Sequence, residues 1–261
     1  MRVIKRQLRR LRRHIQDKKR LREIAPEIQS LLKLPSEPSF KLMGASGHDG
    51  NYQVISQNSP IGMLRLVGEH GKQVPPPPHM PFILLDDTAR LRREWDCYTA
   101  AGALAPTPLH LWPDALLCQY LPLQSLHEAL TQKPDNAWSI LSRATHAIQQ
   151  LHQKGITHMD ISLKNMLHDP QNDHVYFIDF EYSPAKGLSI ETQRIYDHLR
   201  LIESTWKFIP ESMRAATDGW LKVFAEVAAD DLKKADIARL KPALNRILSD
   251  KTFSERLKKL G

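Results

Sequence analysis

Residues 158–165 read His158-Met-Asp-Ile-Ser-Leu-Lys-Asn165, and a dozen residues later the chain reads Phe177-Ile-Asp-Phe-Glu181. An Asp beside a His is followed five residues later by an Asn, and a second Asp ends a short apolar run. Phosphoryl transfer needs a carboxylate that orients the attacking hydroxyl, and an amide and a carboxylate that hold Mg²⁺ against the phosphates. Each piece alone is ordinary turn chemistry, but the combined order of helix, loop and strand favours a phosphotransferase.

Composition sets bounds on the fold and the compartment. The chain has 261 residues, 41% of them hydrophobic, which is enough for a two-lobed domain or two small ones. No run approaches the roughly 18 apolar residues of a membrane span, and no secretory segment follows the basic start. Cys97 and Cys118 show no motif spacing, so a cytoplasmic protein without disulfides is expected. The twelve histidines show no zinc spacing.

The pattern His-x-Asp-x-x-x-x-Asn, followed by a strand and Asp-Phe, resembles the catalytic and metal-binding loops of the protein-kinase-like superfamily. The resemblance implies an α+β, two-lobed protein-kinase-like fold. A basic extension and linker would occupy residues 1–38, a small β-rich N-lobe 39–121, and a larger, mainly helical C-lobe 122–261.

The resemblance also implies the cofactors ATP and Mg²⁺ and transfer of the γ-phosphoryl group to a hydroxyl acceptor. Asp160 would be the catalytic residue, and Lys164 would balance charge on the transferring group. Asn165 and Asp179 would hold Mg²⁺. His158 would brace the loop by hydrogen bonds.

The resemblance also implies that the N-terminal lobe contacts the nucleotide. Gly44, Gly47 and Gly50 lie in a strand–turn–strand segment and would let backbone amides approach phosphate oxygens, although a plain hairpin turn is the equal alternative. The family's third strand carries a lysine. Here the strand offers Arg65, with Lys72 as a second candidate, and Glu94 in the following helix would pair with it.

The departure at Arg65 leaves weak or absent activity open, because Arg and Lys are not interchangeable. A pseudokinase acting as a binding module is therefore one alternative. A hinge that begins at Gln119 and Tyr120 would hydrogen-bond the adenine.

Two features suggest a branch of the superfamily. The ending Ile178-Asp-Phe-Glu-Tyr182 is similar to choline and aminoglycoside kinases. The short span from Asp179 to Asp197, the small size and the basic start look more like bacterial kinases of lipopolysaccharide core sugars (Kdo or heptose). That branch implies a lipid-linked sugar as acceptor at the cytoplasmic face of the inner membrane. A small-molecule kinase or a protein serine/threonine kinase stays open as an alternative.

The N-terminal segment is the basic part of the chain. Residues 1–22 hold eleven Lys or Arg and one acid, Asp17, whereas the whole chain is only +8. Ile4, Leu8, Leu11 and Ile15 fall on one helical face. Such a helix favours an anionic membrane surface. Packing on the body of the protein and nucleic-acid binding are the other two interpretations, with nucleic acid the least favoured.

Overall fold

A computed structural model describes residues 2–44, 49–68 and 75–260. The predictions on Gly47 and Lys72 lie outside the described residues, as do the side chains of Ile4, Leu8 and Leu11. The chain divides into two compact units. The first comprises Met1–Val74, Asp86–Trp95 and Pro106–Pro122, and the second comprises Pro75–Leu85, Asp96–Ala105 and Leu123–Gly261.

The strands in chain order are β1 (Ser39–Gly44), β2 (Gly50–Ser56), β3 (Ser59–Leu66), β4 (Phe82–Leu84), β5 (Pro108–Leu111), β6 (Ala115–Gln119), β7 (Gln124–Ser125), β8 (Met166–Asp169), β9 (His174–Phe177) and β10 (Tyr182–Pro184). The helices are α1 (Arg2–Leu31), α2 (Asp87–Ala101), α3 (Leu126–Gln132), α4 (Ala137–Gln153), α5 (Ile190–Thr205), α6 (Glu211–Arg214), α7 (Asp218–Lys234), α8 (Ile237–Leu240), α9 (Asn245–Ser249) and α10 (Lys251–Lys258).

The first unit is built on a five-stranded antiparallel sheet in the order β1-β2-β3-β6-β5. Successive side chains of a strand point to opposite faces. Leu64 and Leu66 of β3 are therefore buried on one face, and Arg65 points to the other. Glu94 of α2 accepts a hydrogen bond from Arg65, so this ion pair lies on the face of the sheet opposite Leu64 and Leu66.

The second half of α1 covers the apolar face of that sheet. Leu21, Ile24 and Ile28 are at most 4% exposed and share one hydrophobic cluster with Tyr52 and Val54 of β2. Asp17, the one acid of the basic segment, accepts a hydrogen bond from the Tyr52 hydroxyl at 2.8 Å. Residues 1–38 were predicted to form a separate extension and linker. The contacts of Asp17, Leu21, Ile24 and Ile28 instead attach part of this segment to the sheet of the first unit. Burying this apolar stripe stabilises the helix on the sheet.

The second unit is mainly helical. Helices α4, α5 and α7 pack together, and Trp220 of α7 donates from Nε1 to Thr145 of α4 at 2.8 Å. The Trp220 ring stacks on Phe224 with centroids 5.1 Å apart. There are two small antiparallel sheets, β7-β8-β9 and β4-β10. The loop around residue 160 precedes β8, and the segment around residue 180 connects β9 to β10.

The α+β class agrees with the prediction, as does the pair of a β-rich unit and a mainly helical unit. Residues 75–85 and 96–105 fall within the predicted N-lobe, but in the structure they group with the second unit, where β4 pairs with β10. Pro242 separates α8 from α9, because it lacks a backbone N–H and cannot continue a helix.

Candidate active site

The loop that carries Asp160 follows α4 and begins with a tight turn. Gly155, just past the helix end, has φ of 76°, which costs a glycine little. Met159 has φ of 66°, a left-handed conformation that is uncommon for a side chain of its size. Such strain persists only where the surroundings fix the backbone. Fixed contacts to the residues around Met159 are therefore required.

Asp197 of α5 supplies those contacts. Its carboxylate is fully buried, and it accepts hydrogen bonds from the backbone N–H groups of His158 and Met159, each at 2.8 Å. His152 Nε2 lies 3.1 Å from the same carboxylate. Hydrogen bonds to a charged acceptor contribute about 1.5–3 kcal/mol each. Asp197 thus holds the loop backbone in the geometry that positions Asp160.

His158 braces the loop from inside, as the sequence analysis expected. Its Nδ1 accepts from the backbone N–H of Asp160 at 3.3 Å, so the ring proton belongs on Nε2. Nε2 then donates to the carbonyl of Ile178 at 2.9 Å. The His158 ring therefore connects the two segments that carry Asp160 and Asp179.

The Asp160 side chain is held by a cation. Arg200 of α5 donates from Nη2 to Asp160 Oδ1 at 3.0 Å. Burial raises the pKa of the Asp160 carboxyl and Asp179 adds to the rise, while the charge of Arg200 opposes it. The net effect is a raised pKa, which makes Asp160 a stronger proton acceptor than an exposed Asp. The carboxylate is thus both oriented and made more basic.

Asn165 and Asp179, the two residues predicted to hold Mg²⁺, lie on segments that a backbone hydrogen bond joins. Asn165 Nδ2 donates to the Asp160 carbonyl at 3.1 Å, which leaves Oδ1 as the ligand atom. The Asn165 carbonyl accepts from the N–H of Ile178 at 3.0 Å, and this bond brings Asp179 alongside.

One carboxylate and one amide, completed by phosphates and water, is an ordinary Mg²⁺ set. In the described part of the chain, no three His, Cys, Asp or Glu side chains gather as a metal cluster.

The segment after β9 is fixed by aromatic packing. Asp179 has φ of 71°, and its backbone N–H donates to the Tyr98 hydroxyl at 3.3 Å. Phe180 is fully buried and packs against Tyr98 and against His158, with centroid distances of 5.8 and 4.4 Å. The strained Asp179 backbone is therefore supported on both sides.

Lys164 and Glu181 lie at the edge of this arrangement. Lys164 is exposed on the 3₁₀ turn Leu163–Asn165 and lines a cavity of about 440 Å³ together with Arg200. Glu181 is half-buried, and its charge helps to raise the pKa of the neighbouring Tyr182 hydroxyl to about 12, after burial as the main cause. The structure thus places Lys164 toward the cavity.

In the first unit, Arg65 belongs to a buried charge network. Its Nη1 donates to Glu94 Oε2 at 2.7 Å and its Nε donates to Asp49 Oδ2 at 2.6 Å. Arg90 forms a two-point ion pair with Asp49 and also contacts Asp87 at 2.8 Å. Burial alone would raise the pKa of the Asp49 carboxyl, but Arg90 and Arg65 outweigh it and hold that pKa below its usual range. The predicted Arg65–Glu94 pair therefore exists, within a larger network.

Gly44, Gly50, Gln119 and Tyr120, which are predicted to contact the nucleotide, all lie in the first unit. A Cβ on Gly50 would lie 2.7 Å from both Asp17 Oδ2 and the Tyr52 ring, so a larger residue there would force one or both side chains to shift. Gly44 ends β1, at a register shift against β2. The N–H of Gln119 donates to the Thr107 carbonyl at 2.8 Å and so is engaged within the unit. The half-buried Tyr120 is the next residue.

Four residues of these sites had no role in the sequence analysis: Asp49, Arg90, Asp197 and Arg200. Asp197 was noted only for its distance from Asp179. The sequence did indicate that Asp197 and Arg200 act together, because residues three apart on a helix share a face. Helix α5 can therefore present both side chains toward the loop. Asp49 and Arg90 leave no such local pattern.

A comparison with known proteins gives a family match. Residues 114–241, just under half of the chain, match the model described as the lipopolysaccharide kinase (Kdo/WaaP) family. The match includes Asp160, Asn165, Asp179, Asp197 and Arg200. No curated protein matches the sequence. None of the helices in the described ranges combines the length and the apolar character that a bilayer crossing requires.

Proposed function

Because residues 114–241 belong to the lipopolysaccharide kinase (Kdo/WaaP) family, the protein is a kinase that phosphorylates a hydroxyl group, and we propose that its acceptor is a lipopolysaccharide core sugar. In this proposal the phosphoryl donor is ATP, the metal is Mg²⁺, and the protein works at the cytoplasmic face of the inner membrane.

The observation that carries the proposal is the fixed position of Asp160. Its backbone is held through Asp197, its carboxylate is held by Arg200, and the ligand pair of Asn165 and Asp179 lies alongside. A carboxylate of raised pKa next to such a pair can accept the proton of the attacking hydroxyl. Orienting that hydroxyl is the main work of a phosphotransferase active site.

Mg²⁺, when bound by Asn165 Oδ1 and Asp179, would neutralise phosphate charge. The remaining work falls to side chains. Arg200 prevents rotation of the Asp160 carboxylate, and His158 keeps the two loops in register. These contacts fix the reacting groups before the acceptor binds, which lowers the entropic part of the barrier.

Arg65 is proposed to replace the family's phosphate-binding lysine. Asp49 and Glu94 fix its guanidinium by two hydrogen bonds, so the head group is held in one orientation. A planar guanidinium binds phosphate oxygens at two points. The fixed orientation supports retained activity over a binding module without catalysis.

The N-terminal basic segment supports a membrane location. Residues 2–14 carry seven Lys or Arg and no acid. Each basic residue near an anionic surface contributes about 1 kcal/mol, screened by salt over roughly 8–10 Å. The packing contacts of α1 that the structure describes, from Asp17 through Ile28, all lie after residues 2–14 in the chain.

The test is phosphoryl transfer by the purified full chain with Mg-ATP and lipopolysaccharide core acceptors, beside choline, aminoglycoside and protein acceptors. Core acceptors should be phosphorylated fastest. Asp160→Asn should bind Mg-ATP but lose turnover, and Asp179→Asn should lose transfer while remaining folded. Wild-type turnover in either variant, or a preference for another acceptor, would contradict the proposal.

A further inference from the structure

A basic cavity lies beside the catalytic loop, within the second unit. We define it by His127, Lys164, Arg200, Lys207 and Arg246, which share its lining with Ser162 and several apolar residues. Its volume of about 440 Å³ lies within the range of small-molecule sites. Arg200 lines it and also holds Asp160 Oδ1 at 3.0 Å. A molecule in the basic cavity would therefore lie next to the proposed catalytic carboxylate.

The positive charges of the basic cavity are poorly neutralised. Within the described parts of the chain, neither Lys164 nor Lys207 has an ion pair within 4.0 Å. Lys207 Nζ lies over the Phe208 ring at 4.8 Å, which holds the ammonium without cancelling its charge. The pKa of His127 is lowered by burial and further by Lys164 and Lys207, so both ammonium groups act on the same space.

The acid of the lining, Glu203, is already engaged. Its two carboxylate oxygens accept from the backbone N–H groups of Arg246, at 3.3 Å, and Ile247, at 2.9 Å, where α9 begins. Arg246 reaches Glu203 mainly through the backbone carbonyl, at 2.8 Å, and is 46% exposed. Arg200 and Arg246 have acidic partners in Asp160 and Glu203. Lys164 and Lys207 repel one another, and a bound anion would relieve that repulsion.

We propose that the basic cavity binds an anionic group, a carboxylate or a phosphate, on the acceptor whose hydroxyl meets Asp160. This inference rests on the proposed function and adds an acceptor subsite to it. The charged group would be held by Lys207, Arg246 and Lys164, and the reacting hydroxyl would lie on the Arg200 side. Charge-assisted hydrogen bonds of this kind give both affinity and orientation.

The test uses the full chain without ATP, so its outcome does not depend on phosphoryl transfer. The imidazole C–H resonance of His127, assigned with a His127→Gln variant, is followed during titration with inorganic phosphate, acetate or glucose at constant ionic strength. Phosphate or acetate should give a saturable shift, glucose should give none, and the tighter anion identifies the group. Lys207→Ala should weaken that binding about tenfold, the effect of one lost charged contact.

Lys222→Ala is the matched control, since it removes an exposed lysine of α7 outside the lining. It should bind both anions as the parent does. No saturable shift with either anion, or equal affinity in Lys207→Ala, would overturn the inference. In turnover, Lys207→Ala should raise KM for the acceptor about tenfold with kcat little changed. Anion binding without any phosphoryl transfer would instead contradict the proposed function and leave the subsite standing.

Discussion

Replacing Asp197 with Asn tests whether α5 positions the catalytic loop. The carboxylate accepts from the N–H groups of His158 and Met159 through separate oxygens, both at 2.8 Å. Asn has one carbonyl oxygen and one NH₂ group, so one of the two buried N–H groups loses its acceptor and faces a donor. An unsatisfied buried donor costs about 1–3 kcal/mol, and the remaining bonds lose about 1 kcal/mol of charge assistance.

The expected loss of stability is therefore about 3 kcal/mol. For a chain of this size each kcal/mol shifts Tm by about 2–4 °C, so Tm should fall by about 6–12 °C. Because Met159 directly precedes Asp160, release of its strained backbone should also displace the carboxylate. A displacement of about 1 Å can reduce kcat about 100-fold.

Thermal melting and steady-state kinetics with Mg-ATP measure the two effects separately. Asp231→Asn is the matched control, because it makes the same change in a pair 3.6 Å from Arg194. That pair lies outside the loop, so the control should cost no more than about 1 kcal/mol and retain kcat. Parental Tm and kcat in Asp197→Asn would refute the reasoning. Lower Tm with unchanged kcat would show that Asp197 stabilises the fold without positioning Asp160.

Four further predictions follow from the other buried groups and from the basic segment. Asp49→Asn should lower stability by about 3 kcal/mol at pH 7. Because the pKa of Asp49 is lowered in the folded state, its contribution to stability is present above about pH 4 and is lost as the pH falls below that value. In urea melts, the difference in unfolding free energy between the parent and Asp49→Asn should therefore shrink at lower pH. An equal difference at every pH would contradict this prediction. Arg65→Ala should weaken ATP binding about tenfold in a fluorescence titration, and Arg65→Lys should retain part of the parent's affinity. If Arg65→Ala binds ATP as tightly as the parent, Arg65 has only a structural role. His198→Phe should stabilise the protein by about 1 kcal/mol, because neither buried ring nitrogen has a hydrogen-bond partner among the described residues. Burial and His152 lower the pKa of His198, so the parent protein loses stability as the pH falls below about 6.5. The Tm of His198→Phe should therefore fall less at low pH than the Tm of the parent, and the same pH dependence in both proteins would count against this. Deletion of residues 2–14 should abolish most sedimentation with anionic vesicles while ATP binding persists, and equal partition of both proteins would reject the membrane role.

The deletion of residues 2–14 has an end point that sequence periodicity alone does not give. The pattern of the N-terminal segment predicts one amphipathic helix, and it is compatible with a membrane surface, with packing on the body of the protein and with nucleic-acid binding. A cut after residue 24 would remove Asp17, Leu21 and Ile24, which the first unit needs for its core. The structure shows that part of the stripe packs on the sheet, so the deletion must end before Asp17.

The amino-acid sequence by itself determined the residues that are close along the chain. Asp160 and Asn165 are five residues apart in one loop, and Asp179 ends the following hairpin, so local turn and strand geometry brings all three together. Helix α4 was also predictable, because its apolar residues recur at three- and four-residue spacing.

Only the tertiary structure decided what holds those residues in place. Asp197 acts on His158 across 39 residues of chain, Arg200 acts on Asp160 across 40, and Arg90 acts on Asp49 across 41. Bonds of that kind leave no periodicity in the sequence. A buried charge is tolerated only where its partners are supplied, and those partners come together only when distant helices and loops pack.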